Sequence, residues 1–225
     1  MILKVISILL SLFALTSYKY LPGSYTLRFG YISIKYLYFK NIKKSSNLLS
    51  IPLTRKSYCA PLECDFFGLH KNNSTYFTEL DLARTETVLN SLHTYFRNKI
   101  LNKENYAFVP LATITNHFLK EIKPFQNYSI ESKIVAFNDN SLLIMSLFLI
   151  SNSSNNTNFI YKSNRVTTIS IARLVFKNGR KTVPPIEIIK ESNVLVKDQD
   201  NHKNYENFIL AQNDPNQLLT LYSNF

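Results

Sequence analysis

Two apolar stripes at helical spacing run through residues 76–98, and that double stripe limits what the chain can fold into. Tyr76, Leu80 and Ala83 step by four and three, while Leu82, Leu89, Leu92 and Phe96 trace a second line. A helix with two such stripes must be covered on more than one side. Ser74 or Thr75 can cap its start, Glu79 and Asp81 lie near the positive end of its dipole, and Arg97 and Lys99 lie near the negative end. The segments that follow are strand-like. Residues 106–119 carry β-branched alternation, 129–137 alternate cleanly, and 142–150 are almost continuously apolar, as a strand buried on both faces would be. Residues 165–176 form a last long strand before the Asn178-Gly179 turn. A segment at 57–64 supplies one strand before the helix. One helix inside an antiparallel set is most simply covered by wrapping the sheet round it, which predicts an α+β class.

Just before the helix stands a polar turn. Asp65, Gly68, His70, Asn72, Asn73, Ser74, Thr75 and Tyr76 bring an acid, an imidazole, two carboxamides, two hydroxyls and a phenol to a helix start. Such a start suits an anion or a polarised carbonyl. His70 serves equally as a turn hydrogen-bonding residue, the asparagines suit left-handed turn positions, and Tyr76 suits packing. Cys59 and Cys64, five apart in what looks like one strand, are expected to face opposite ways and stay unbridged. Only four glycines occur, with no phosphate loop and no Gly-x-Ser-x-Gly elbow. His70, His93, His117 and His202 show no metal-ligand spacing, so no metal is expected.

Residues 2–15 are apolar apart from Lys4 and two serines, short for a full membrane span. Lys19, Arg28, Lys35, Lys40, Lys43 and Lys44 follow it, against Lys4 alone before it. That asymmetry favours a retained signal anchor with the rest in the cytosol over a cleaved signal peptide. Tyrosines and single basic residues alternate through 22–44, as at a membrane interface, with amphipathic strands or a helix as the plain alternative, and 45–50 form a polar joint. The net charge of +11 favours an acidic partner, but no nucleic-acid-binding signature is present. Sequons at Asn72, Asn73, Asn127, Asn152 and Asn155 keep a secretory-pathway or secreted alternative open. In the tail, Asn204 to Gln212 suit a short helix and Leu218 to Tyr222 suit packing on the domain edge.

The element order and the Asp65, Gly68, His70, Asn72-Asn73, Tyr76 and Leu80-Asp81-Leu82-Ala83-Arg84 pattern resemble the hotdog-fold thioesterase superfamily, the 4-hydroxybenzoyl-CoA thioesterase-like group. The closest likeness is to the branch around thioesterase superfamily member six and its fungal relatives, supported by Phe118-Leu119-Lys120-Glu121-Ile122-Lys123-Pro124-Phe125-Gln126-Asn127-Tyr128. Asp65 lies seven and eight residues before the asparagines, one more than is common there, which implies either a turn one residue longer or an Asp65 out of register with the family's catalytic acid. The resemblance implies a hotdog fold, an antiparallel sheet wrapped around one long central helix, preceded by an N-terminal hydrophobic segment. The implied organisation is an anchor or signal peptide over 1–20, a basic aromatic juxtamembrane segment over 21–50, the thioesterase-like domain over 51–190 and a tail over 191–225.

The resemblance also implies hydrolysis of acyl-CoA or related thioesters at a site across a homodimer interface, with coenzyme A as part of the substrate and no other cofactor. Asp65 becomes the catalytic acid, with Glu79 the second candidate, and His70, Asn72, Asn73, Ser74, Thr75 and Tyr76 line the substrate. Lys133, Arg173, Lys177, Arg180 and Lys181 are the cations available to a coenzyme A phosphate, or else solvated strand ends. The expected location is an endomembrane, the endoplasmic reticulum above others, facing the cytosol. The alternative function is a non-catalytic hotdog module that binds acyl chains, lipid or a protein partner at a membrane.

Overall fold

The computed structural model describes residues 2–40, 51–151, 159–194 and 198–224. The polar joint at 45–50 and the sequons at Asn152 and Asn155 lie outside them. Helices α1 (Ile2–Thr16) and α2 (Ser24–Ile34) come first, then strand β1 (Leu53–Tyr58) and helices α3 (Thr75–Ser91) and α4 (His93–Leu101). Strands β2 (Leu111–Phe118), β3 (Asn127–Phe137), β4 (Leu142–Ser151), β5 (Ile160–Tyr161) and β6 (Asn164–Leu174) follow, with the β7 (Phe176–Asn178) and β8 (Lys181–Val183) hairpin. Helices α5 (Pro185–Glu191), α6 (Asp198–Leu210) and α7 (Pro215–Asn224) end the chain.

The main sheet runs β1-β3-β4-β6-β2, all neighbours antiparallel, with β5 on the end of β6. Helix α3 lies in its concave face: this is the hotdog fold. Leu80 and Ala83 pack with Ile130, Tyr128 and Phe148, while Leu82, Val88 and Leu92 pack with Ile134, Ile144 and Leu174. Phe148 is fully buried, its ring centroid 4.9 Å from Tyr76 and 5.5 Å from Tyr128. Phe148→Ala is therefore expected to cost about 3–5 kcal/mol, read as a lower denaturant midpoint with an unchanged slope.

Several expectations change. The long helix is broken at Leu92, where the backbone leaves the helical region (φ −109°, ψ 26°), so that α4 sets off separately. The strand expected at 57–64 lies earlier, at Leu53–Tyr58, because Pro61 starts a single 3₁₀ turn over Pro61–Glu63. That turn folds the chain back and sets the Cys59 and Cys64 sulfurs 3.7 Å apart, both free, rather than on opposite faces. Residues 24–34 form a helix that packs on α3, with Ile32 and Tyr36 buried in the same cluster as Val88 and Leu92.

The tail covers the convex face of the sheet. Tyr205, Phe208, Leu218 and Tyr222 close over Val135, Met145, Leu147, Ile169 and Ile171, which explains why β4 is apolar on both sides. Asn201 bonds both the carbonyl (2.6 Å) and the amide (3.1 Å) of Phe137, and His117 meets the Gln212 carbonyl at 2.7 Å. Lys133 donates to the Tyr222 carbonyl at 2.8 Å, and burial lowers its pKa to about 8. It is thus enclosed by the tail rather than placed at a groove mouth.

Candidate active site

The polar turn is a closed loop built on a buried ionic base. Cys64 and Lys71 pair as an isolated antiparallel bridge, and the amide of Asp65 donates to the His70 carbonyl at 2.9 Å. Between them Gly68 takes a left-handed conformation (φ 68°), which suits glycine and lets six residues reverse direction. Beneath the loop, Glu63 accepts from Lys71 at 2.6 Å and from Lys19 at 2.7 Å, all three side chains being buried. Its backbone is used too: the Asn72 amide and the Thr75 hydroxyl both donate to the Glu63 carbonyl. Charges so enclosed survive only when each finds opposite charge and donors, so this base fixes the loop against α3.

At the helix start, Asn72 Oδ1 accepts from the Ser74 amide (2.9 Å) and the Ser74 hydroxyl (2.8 Å). The Thr75 amide donates to the Asn72 carbonyl at 2.9 Å, whereas the Tyr76 and Phe77 amides hold only long bonds of 3.4 Å. Asn73 and Ser74 are exposed, and Thr75 and Tyr76 are buried. Tyr76 packs between Phe118 and Phe148.

The two candidate carboxylates occupy opposite environments. Asp65 keeps 22% of its side chain exposed; Oδ1 accepts from the Leu69 amide at 2.8 Å, and Oδ2 lies 4.0 Å from Nε2 of His70. His70 remains half-exposed, with Nδ1 3.2 Å from the Lys71 carbonyl. Glu79 is enclosed instead. Oε1 accepts from Arg28 at 2.6 Å and lies 3.5 Å from Lys19, and Oε2 lies 3.7 Å from Arg55, which also pairs with Glu86 at 3.1 Å. Burial alone would raise its pKa, but Lys19, Arg28 and Arg55 together hold it below the ordinary glutamate value. A carboxylate so paired is a poor proton acceptor, and its cations come from elements that precede α3.

A polar row crosses the concave face. Ser132, Ser146, Ser170 and Asn116 stand opposite one another across β3, β4, β6 and β2, and the Ser132 and Ser146 hydroxyls meet at 2.7 Å. The Ser170 hydroxyl and both amide atoms of Asn116 are buried without a hydrogen-bond partner among the described residues. This row ends at β2, which pairs with β6 on one side only. Serines among strand apolars gave no individual signal in the sequence; their shared register is what gathers them.

Residues 59–187 match the family model of the thioesterase-like superfamily, more than half of the chain. The chain belongs to the thioesterase-like superfamily. A probable thioesterase of Saccharomyces cerevisiae is 34% identical over 193 residues, 81% of this chain and 77% of that protein. A probable thioesterase of Emericella nidulans is 29% identical over 153 residues, covering 58% of this chain. This chain spans only 50% of the length of that second relative. Among solved structures, 4-hydroxybenzoyl-CoA thioesterase from Pseudomonas aligns at a TM-score of 0.46 with 13% identity, over 62% of this chain and 98% of that one. The match begins at Cys59, so it includes the Asp65 loop and all of α3 but leaves out Lys19, Arg28 and Arg55. The cations that enclose Glu79 thus come from residues outside the family-matched segment.

Proposed function

We propose that this protein hydrolyses acyl thioesters, acyl-CoA among them, with Asp65 as the reacting carboxylate. The observation that carries the reading is the partly exposed carboxylate of Asp65, on a loop fixed to the start of α3 and facing only His70 and the Leu69 amide among the described residues, while Glu79 is enclosed among three cations. Asp65 either takes a proton from the attacking water or attacks the thioester carbonyl itself. The oxyanion that develops collapses with cleavage of the C–S bond and loss of the thiolate, which takes up a proton. On the second route water then cleaves the acyl-aspartyl anhydride to the free acid and Asp65. The Tyr76 and Phe77 amides, on their long 3.4 Å bonds, are the donors free to turn toward the oxyanion, aided by the helix dipole. His70 orients Asp65 or relays the proton, and Asn72, Asn73, Ser74 and Thr75 shape the turn.

The site is proposed to be completed between two copies through the open edge of β2. That edge belongs to a strand of eight residues paired with β6 on one side only, with Leu111 and Phe118 each 40% exposed and the unpartnered Asn116 amide beside it. The test is release of free coenzyme A from a series of acyl-CoA esters by the purified full chain. Saturable turnover supports the reading. The rival reading, a non-catalytic acyl-binding module, draws on the Ser74 and Thr75 amides already being engaged. It predicts binding without turnover.

Membrane attachment is proposed to run through α1. Its 15 residues carry no buried side chain, and Leu3, Leu9, Leu10 and Leu15 are each at least 60% exposed. At 1.5 Å per residue the helix is about 22 Å long, against a hydrocarbon core of about 30 Å. Among the described residues, no helix is long and apolar enough to cross a membrane. The proposed arrangement is therefore insertion of α1 into an endomembrane, with Lys19 tying its end to the domain on the cytosolic side. Leu9→Asp combined with Leu12→Asp is expected to shift the protein from the vesicle pellet to the supernatant in co-sedimentation, with hydrolysis of soluble substrate retained.

A further inference from the structure

A half-open apolar pocket lies beside α3, away from the Asp65 loop. It has a volume of about 550 Å³, within the range of small-molecule sites. Its walls are apolar: Phe29 and Leu37 from the N-terminal segment, Val88 from α3, Phe96 from α4 and Leu174 from β6. One cation lines it. Arg84 is 4% exposed, and its Nη2 bonds Asp81 Oδ1 at 3.3 Å, while Nη1 is buried without a hydrogen-bond partner among the described residues. A buried guanidinium nitrogen left unpaired is costly, and an acceptor brought into the cavity would relieve it.

We propose that this cavity binds a single acyl chain whose oxygen-bearing head accepts a hydrogen bond from Nη1 of Arg84. The apolar walls fit the chain. Asp81, whose second oxygen takes the Tyr25 hydroxyl, already neutralises much of the Arg84 charge, which disfavours a dianionic phosphate head. A fatty-acid carboxylate and an ester or thioester carbonyl share the required chemistry. The site is separate from the proposed reaction: Arg84 stands nine residues after Thr75, about 14 Å along the helix at 1.5 Å per residue. Phe29 and Leu37 also precede the family-matched residues 59–187, so the inference stands whether or not the chain hydrolyses thioesters.

The test is photolabelling of the full chain in membranes with palmitic acid carrying a mid-chain diazirine, followed by mapping of the adducts. Adducts are expected on cavity residues such as Val88 and Phe96, displaced at least tenfold better by palmitic acid or its methyl ester than by hexadecylamine, whose protonated head only donates. Displacement by the acid alone assigns a carboxylate head; equal displacement by the ester assigns a carbonyl. Ser33→Phe, which places a ring in the cavity from α2, is expected to abolish cavity labelling while labelling of α1 persists. Arg84→Met is expected to weaken it at least tenfold. Adducts confined to α1, cavity adducts unchanged by Ser33→Phe in folded protein, or equal displacement by hexadecylamine would overturn the proposal.

Discussion

Glu79→Gln is expected to lower folding stability by about 3–5 kcal/mol, the usual cost of removing one partner from a buried ionic cluster. Glutamine keeps the volume and a carbonyl acceptor but leaves Arg28, Lys19 and Arg55 with less negative charge than they need. Chemical denaturation of the full chain measures this directly. Adding Arg28→Gln to Glu79→Gln is expected to cost less than the two single losses summed, because the pair fails as a unit. The effect also has a pH signature. The folded-state pKa of Glu79 is depressed, so its contribution is fully present above the unfolded value of about 4.3 and is lost as pH falls through the folded value. Wild type should therefore lose stability below about pH 5 more steeply than Glu79→Gln does.

Asp65→Asn is expected to lower kcat for acyl-CoA hydrolysis by roughly 10²–10⁴-fold, with little change in KM. Asparagine retains an oxygen to accept the Leu69 amide, so the loop keeps its internal bond and stability changes little. The loop is fixed by other groups, namely the Glu63 pairs with Lys71 and Lys19 and the Cys64–Lys71 bridge. A loss of turnover without a loss of stability is thus the signature that separates Asp65 from Glu79.

The order of one helix and several strands was legible because apolar periodicity reports directly on covered faces: the two stripes from Tyr76 and Leu82, and the unbroken run in β4, led to the wrapped sheet. Leu218 and Tyr222 in the tail were legible for the same reason. The ionic base was not. Lys19, Arg28 and Arg55 stand among exposed tyrosines and lysines and look solvated, while their partners Glu63, Glu79 and Glu86 lie far along the chain. No local pattern encodes such pairing. Glu79 consequently looked like a plain helix-start charge or a spare base, and only its neighbours decide its part. The cysteine pair was misread because a 3₁₀ turn from Pro61 folded what resembled a strand. The break at Leu92 left no mark, since the second stripe continues across it to Phe96.

The division of labour between the two carboxylates is tested most directly by assaying wild type, Asp65→Asn and Glu79→Gln together for coenzyme A release, at a temperature where all three remain folded by circular dichroism. The expected pattern is a folded but inactive Asp65→Asn beside a less stable Glu79→Gln that still turns over at near wild-type kcat. The reverse pattern, with activity surviving in Asp65→Asn and vanishing in a folded Glu79→Gln, would contradict it.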